Sequence, residues 1–247
     1  MTRLHGRRAL VTGGTGGIGR AIAARLAGAG ARVVITGRDT ERGEEVAARL
    51  RADGAKADFV AADLAGGGAA VRELADRAGE IDILVNNAAA VVTGDHSMLD
   101  ATEQQLDAVL GMNVKVPFLL TSALVPGMIA RGGGAVVNIG SIAGSTAPLI
   151  TPVYGASKAA LHMLTKSWAV ELAAKGVRVN AVAPGPVVTE LDDAARLARV
   201  AEVGASFPSG RPSTGDEVAA AVLFLAGDEA ANIHGVIIPV DGGGSVI

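Results

Sequence analysis

The stretch Ala9–Gly30, ALVTGGTGGIGRAIAARLAGAG, decides the fold. It opens as a short apolar strand over Ala9–Thr12, turns through the glycine-rich run Thr12–Gly19, and continues with apolar residues at helical spacing. A strand, a glycine turn and a helix in that order present backbone amides and a helix N-terminus to a pyrophosphate. A Cβ at the turn would block that approach, which gives Gly13, Gly17 and Gly19 a purpose. Their spacing departs from a plain G-x-G-x-x-G, so the expectation of dinucleotide binding rests on the strand–turn–helix setting rather than on the glycines alone.

Outward from this unit the pattern repeats. Arg32–Gly37 reads as a second strand and 40–52 as a helix. An acid at the end of this strand holds the ribose 2′-hydroxyl of NAD in dinucleotide folds. Here the end position is Gly37 and the next residue is Arg38, whose guanidinium suits the 2′-phosphate of NADP. Asp39 complicates this, unless it serves as the cap of the following helix. NADP(H) is therefore favoured, with NAD(H) left open. Ala57–Ala62 is a third strand ending in Asp63-Leu64, and Ile81–Val85 a fourth ending in Asn86-Asn87-Ala88-Ala89. Helices are expected at 67–79 and 102–130. In the second of these, Pro117 has no amide for the carbonyl of Asn113, so a kink and a free Asn113 carbonyl are expected.

Ala135–Ile139 is the fifth strand and delivers Gly140-Ser141. Thr151-Pro152 starts a helix running to about 174 and stopping at Gly176. Tyr154 and Lys158 stand four apart on it and share a face. A fixed ammonium beside a phenol favours the phenolate and pulls its pKa from about 10 toward neutrality. Such a tyrosine exchanges a proton with a carbonyl or alcohol oxygen. Ser141 can bond the same oxygen. Val177–Val182 is a sixth strand leading to Pro184-Gly185; 187–214 is irregular with a short helix; 216–226 is helical and 235–240 closes the sheet. Strands alternate with helices without a linker, which gives one doubly wound α/β domain over 1–247 with a mostly parallel sheet.

Composition agrees. The chain has 247 residues, 49% of them hydrophobic, with 34 glycines and only 2% aromatics, so Ala, Val, Leu and Ile build the core. With no cysteine, disulfides and thiolate metal sites are excluded. A net charge of -3 leaves no electrostatic footprint for nucleic acid. The first residues lack the apolar run of a signal peptide. The charge-free stretch 132–157 carries too many Gly, Pro, Asn, Ser and Thr residues for a membrane helix, and reads as a buried strand plus an active-site loop. His5, His96, His162 and His234 show no metal-binding spacing and are assigned to surface or packing.

These residues together resemble the short-chain dehydrogenase/reductase family, in its 3-oxoacyl-carrier-protein reductase-like branch. The motifs are Thr12-Gly13-x-x-x-Gly17-Ile18-Gly19, Asp63, Asn86-Asn87-Ala88, Asn113, Ser141, Tyr154-x-x-x-Lys158 and Pro184-Gly185 followed by Thr189. The resemblance implies a seven-stranded Rossmann sheet, helices on both faces and a cytoplasmic homotetramer. It makes Tyr154 the general acid/base, with Ser141 orienting the carbonyl and Lys158 lowering the tyrosine pKa and binding the nicotinamide ribose. Asn113 would hold a relay water through its carbonyl. Thr15 would contact the adenosine side, Asp63 the adenine, Asn87 the adenosine ribose region and Thr189 the carboxamide. Ile18, Leu64, Ala88, Pro184, Gly185 and Val187 complete the implied cofactor site, and 187–214 is the implied substrate loop.

Two departures stand out: Ala89 where the family often has Gly, and Gly16 where NADP-preferring members often carry a basic residue. A non-catalytic dinucleotide sensor would not require Ser141, Tyr154 and Lys158. A sugar-nucleotide epimerase would need a further substrate domain. The expected reaction interconverts a small-molecule ketone or aldehyde and an alcohol. Arg131 and Lys175 are candidate contacts for an acidic carrier protein, although solvated helix-end charges fit them better.

Overall fold

The computed structural model describes residues 4–91, 98–147 and 151–247. The strands are β1 (Arg8–Thr12), β2 (Arg32–Gly37), β3 (Lys56–Ala61), β4 (Ile83–Asn86), β5 (Gly134–Ile139), β6 (Val177–Pro184), β7 (Val187–Val188), β8 (Ser213–Thr214) and β9 (Ile237–Val240). The helices are α1 (Gly17–Gly28), α2 (Thr40–Ala52), α3 (Gly68–Ala78), α4 (Glu103–Leu110), α5 (Val116–Ala130), α6 (Pro152–Leu172), α7 (Ala194–Ala205) and α8 (Gly215–Ala226). Seven strands form one sheet in the order β3-β2-β1-β4-β5-β6-β9, and each neighbouring pair is parallel. β7 and β8 form a small parallel pair of their own.

Successive strand residues point to opposite faces, and the burial shows both faces covered. Ala9, Val11, Val33, Ile35, Val85 and Val137 pack with Ile22, Leu26, Val218 and Leu225 of α1 and α8. Leu10, Val34, Leu84 and Val136 pack on the other side with Leu74, Leu120, Met128 and Trp168 of α3, α5 and α6. The helical run from Glu103 to Ala130 is long and apolar enough to cross a membrane by composition. Its residues Leu120, Leu124, Val125 and Met128 are buried against the sheet instead.

Strand order reverses between β1 and β4. Parallel sheets bind ligands in the crevice outside their carboxyl ends at such a point. Thr12 and Asn86, which end β1 and β4, therefore face the expected site.

Several details differ from the sequence-based expectation. The disturbance expected at Pro117 takes the form of a widened turn just before it. A five-residue π turn, Gly111–Lys115, joins α4 to α5, and the Val116 amide donates to the Gly111 carbonyl. A proline that cannot bond the carbonyl four back is accommodated by stepping the ladder to five. Thr151 starts α6 with Pro152 in the first turn, yet its hydroxyl makes no cap bond and is buried without a partner. Its carbonyl accepts the Tyr154 and Gly155 amides instead. Asp39 does cap α2, accepting the Arg42 amide at 3.0 Å. Ala89 carries no strain, because no non-glycine residue among those described has positive φ. His96 and the middle of the 90–101 loop lie outside the described residues.

Candidate active site

The glycine turn is stitched to β4 by one threonine and one asparagine. The Thr12 hydroxyl accepts the Asn87 amide at 2.9 Å and the Ala88 amide at 3.0 Å. The Asn87 side-chain amide donates to the carbonyls of Thr12 at 2.8 Å and Gly13 at 3.2 Å. This leaves no room at Gly19, where a Cβ would stand 2.1 Å from the Gly13 oxygen and 2.5 Å from Asn87 Nδ2. Gly13 and Gly17 have φ of +62° and +55°, which L side chains rarely adopt. No side chain of the N-cap residue closes the N-terminus of α1. A turn with glycines at its crowded points and a helix N-terminus above it fits a dinucleotide pyrophosphate.

The adenosine side is equally legible. Thr15 lies over the end of β2, where a Cβ on Gly37 would meet its Cγ2 at 2.7 Å. Asp39 is committed to the α2 cap and to Arg42, 3.4 Å away. That leaves Arg38 exposed, with no hydrogen-bond or ion-pair partner among the described residues. Asp63 spends one oxygen on the Ala65 amide at 3.1 Å, and Leu64 is buried beneath it. Pro184 pairs with Val240 in the sheet, and a Cβ on Gly185 would stand 2.9 Å from that of Asp241. Val187 is buried in β7, and Thr189 follows it at the start of the turn that leads to α7.

The chemistry gathers where β5 ends against α6. The turn after Ser141 packs directly on this helix: a Cβ on Gly144 would meet the Lys158 carbonyl carbon at 2.7 Å, and one on Gly155 the Ala143 oxygen at 3.0 Å. This close packing brings Ser141 to Tyr154, where its hydroxyl favours the phenolate. Lys158 is buried and donates to the Ile139 carbonyl at 2.8 Å, with its nitrogen 5.7 Å from the centre of the Tyr154 ring. Asn113 is buried in the π turn. Its oxygen accepts the Ala90 amide at 2.7 Å; its nitrogen donates to the Ala90 carbonyl at 2.9 Å and to the Ser157 hydroxyl at 3.0 Å. Ser157 in turn donates to the Tyr154 carbonyl at 2.7 Å. The side chain of Asn113 thus ties the segment that follows β4 to the helix that carries Tyr154.

The electrostatics correct one expectation. Burial raises the Tyr154 pKa above 10, and the hydrogen bond with Ser141 opposes the rise. Lys158 does not lower it here, because its ammonium is turned to the Ile139 carbonyl. Burial lowers Lys158 to about 8. At neutral pH the phenol therefore carries its proton beside a charged lysine, which suits a proton donor.

Other groups escaped the sequence reading. A buried ladder runs beneath the site: Asn86 donates to Thr121 at 3.1 Å and to Asn138 at 2.9 Å, Asn138 donates to Thr165 at 2.8 Å, and Thr165 to the Leu161 carbonyl at 2.8 Å. An asparagine inside the apolar run Val136-Val137-Asn138-Ile139 was the available signal, since a buried amide needs partners. His162, assigned above to surface or packing, is buried one turn beyond Lys158 and meets the Ser145 hydroxyl at 3.3 Å. Arg131 pairs with Asp82 at 3.4 Å and donates to the Ile81 carbonyl, while Lys175 lies 3.8 Å from Glu171. Both basic residues sit at the amino ends of the strands, across the sheet from Tyr154. Among the described residues no group of three or more His, Asp or Glu side chains could hold a metal ion.

A strand-end glycine turn and a Ser–Tyr–Lys cluster at the switch point of a parallel sheet define a dinucleotide-dependent oxidoreductase. The sequence profile described as short chain dehydrogenase matches residues 7–199. The chain is similar to 3-oxoacyl-[acyl-carrier-protein] reductase of Vibrio cholerae, 36% identical over 244 residues covering 97% of this chain and 98% of that one. It is 37% identical to acetoacetyl-CoA reductase of Allochromatium vinosum over 242 residues, covering 96% and 98%. Its structure matches gluconate 5-dehydrogenase of Burkholderia cenocepacia, solved with NADP and tartrate, with a TM-score of 0.86, 38% identity and coverage of 99% and 97%. The chain belongs to the short-chain dehydrogenase family. It is an NAD(P)-dependent oxidoreductase that interconverts a carbonyl and an alcohol.

Proposed function

We propose that the chain is an NADPH-preferring reductase of 3-oxoacyl thioesters with Tyr154 as its general acid. The cluster of Ser141, Tyr154 and Lys158 at the end of β5 carries this reading. The curated relatives named above act, by their names, on 3-oxoacyl groups, which supports the substrate class. Arg38, unpartnered at the end of β2, supports the 2′-phosphate. NADP bound in the gluconate 5-dehydrogenase structure supports the same cofactor.

When bound, reduced NADP supplies the hydride that the carbonyl carbon accepts. Ser141 and Tyr154 hold the carbonyl oxygen from one side by hydrogen bonds, and Tyr154 Oη gives its proton to that oxygen as negative charge develops there. Lys158, anchored on the Ile139 carbonyl with its charge 5.7 Å from the ring centre, would hold the nicotinamide ribose. Asn113 fixes α6 through Ser157, and the carbonyl that Pro117 leaves without its helical partner holds a water that reprotonates the tyrosine. Gly13, Gly17, Ile18 and Gly19 would carry the pyrophosphate, and Thr15 would face the adenosine side. Arg38, Asp63, Leu64, Asn87 and Ala88 line the adenosine half, and Pro184, Gly185, Val187 and Thr189 the nicotinamide half. Residues 187–214 bind the substrate. The single domain assembles as a cytoplasmic homotetramer; the exposed Leu106, Leu110, Phe118, Met163 and Val170 on α4, α5 and α6 support such an interface.

The test is initial-rate kinetics with acetoacetyl-CoA in the reducing direction, using NADPH and NADH, and with gluconate in the oxidising direction, using NADP+ and NAD+. Consumption of NADPH by acetoacetyl-CoA at a kcat/KM at least tenfold above that of the other pairs is expected. Faster turnover with gluconate, or with NADH, would overturn the substrate or the cofactor assignment respectively.

A further inference from the structure

The turn Thr189-Glu190-Leu191 lies across the glycine turn. One oxygen of Glu190 accepts the Gly17 amide at 3.0 Å, the first amide of α1. The same oxygen stands 3.5 Å from the Arg20 guanidinium one turn along the helix. Leu191 covers the neighbouring residue: a Cβ on Gly16 would stand 2.6 Å from its Cδ1. The turn is braced from behind, since Asp192 accepts the Thr189 amide at 2.7 Å and also pairs with Arg196. Glu190 and Arg20 keep about two-fifths of their side-chain surface exposed, so solvent can take over both partners.

An amide at a helix N-terminus beside an arginine is where an anion settles. In this chain a carboxylate of its own has settled there. We propose that Glu190 is an internal competitor for the cofactor pyrophosphate: it closes the 189–191 turn on α1 in the free protein, and the dinucleotide binds by displacing it. This rests on the assignment of the glycine turn to NADP(H), and it makes cofactor affinity a property of Glu190 as well as of the glycines. Two consequences separate a competitor from a mere brace. Removing the charge relieves repulsion of the pyrophosphate, so binding tightens. It also frees the turn, so the cofactor-free protein is cut faster at Arg196 and Arg199, which follow it.

The experiment compares wild type with Glu190→Gln and Glu190→Ala by NADPH fluorescence titration at fixed ionic strength, without substrate. Inorganic pyrophosphate titrated calorimetrically serves as a probe free of nicotinamide. Limited trypsin digestion of the cofactor-free proteins gives the second readout. Tightening of about 3- to 10-fold for NADPH in both variants is expected, the size of one charge-assisted contact of partial exposure. Pyrophosphate should bind tighter too, and trypsin should cut 196–199 faster. Unchanged or weaker NADPH binding in a folded variant, judged by an unaltered melting curve, would overturn the proposal and make Glu190 a latch. Glu190→Gln, nearly the same shape, keeps the test open if Glu190→Ala does not fold. Failure of the oxidoreductase assignment would show separately, as wild type that binds NADPH yet reduces no carbonyl.

Discussion

Replacing His162 with leucine should remove most of the acid sensitivity that this part of the core contributes. The imidazole is 5% exposed, and its Nε2 is buried without a partner. Its ring fills the space beneath the turn that bears Ser141: a Cβ on Gly140 would stand 2.3 Å from Nε2, and one on Gly144 2.8 Å from Cε1. Nδ1 meets Ser145, so a second proton would add a donor with nothing to receive it. Burial, with the charges of Lys158 and Lys166 on the same helix, lowers its pKa from 6.5 to about 4. The sign follows from proton linkage. Between these two values the unfolded chain binds the proton and the folded one does not, so stability is full above pH 6.5 and falls as the pH drops toward 4. At about 1.4 kcal/mol per pH unit the whole window is worth about 3 kcal/mol, an upper figure because the neighbouring lysines are partly screened. Urea unfolding of wild type and His162→Leu at several pH values from 7.5 to 4 isolates this contribution, since shared carboxylates cancel in the difference. The variant should lie within about 1 kcal/mol of wild type at pH 7.5. It should gain about 2–3 kcal/mol on it by pH 4. Two curves that run parallel across the window would refute the reasoning.

Gly19→Ala forces a Cβ against a backbone oxygen that cannot move without carrying Asn87 with it. A loss of about 1–3 kcal/mol in urea unfolding is expected, together with NADPH affinity at least tenfold weaker by fluorescence titration. Arg38→Ala should cut kcat/KM for NADPH about tenfold while leaving NADH nearly unchanged, as expected for one charge-assisted contact to a phosphate; equal losses with both cofactors would remove Arg38 from cofactor selection.

Much of this was written in local sequence. β2 and the helix that follows it match their predicted limits, because a short apolar run buried from Val33 to Thr36 and a capped helix are each set by neighbours in the chain. Tyr154 and Lys158 share a face because helical spacing requires it. What escaped was set by contacts between distant segments. The lysine ammonium turns to Ile139, nineteen positions away, and not to the phenol. Pro117 announced a disturbed ladder, but whether the helix would break, kink or widen into a π turn depended on what packs around Asn113. Asn138, Thr165 and His162 looked like isolated polar residues until the sheet placed them under the site. Glu190 carried no signal at all until the turn bearing it crossed the glycines, some 170 positions earlier in the chain.

Tyr154→Phe tests the central claim most directly, because it removes the one hydroxyl proposed to move a proton and leaves the ring in place. With NADPH and acetoacetyl-CoA, a fall in kcat of about 100-fold or more is expected, the usual worth of a positioned general acid. NADPH binding by fluorescence should stay within about twofold of wild type. A variant that binds the cofactor normally and still turns over at the wild-type rate would contradict the account.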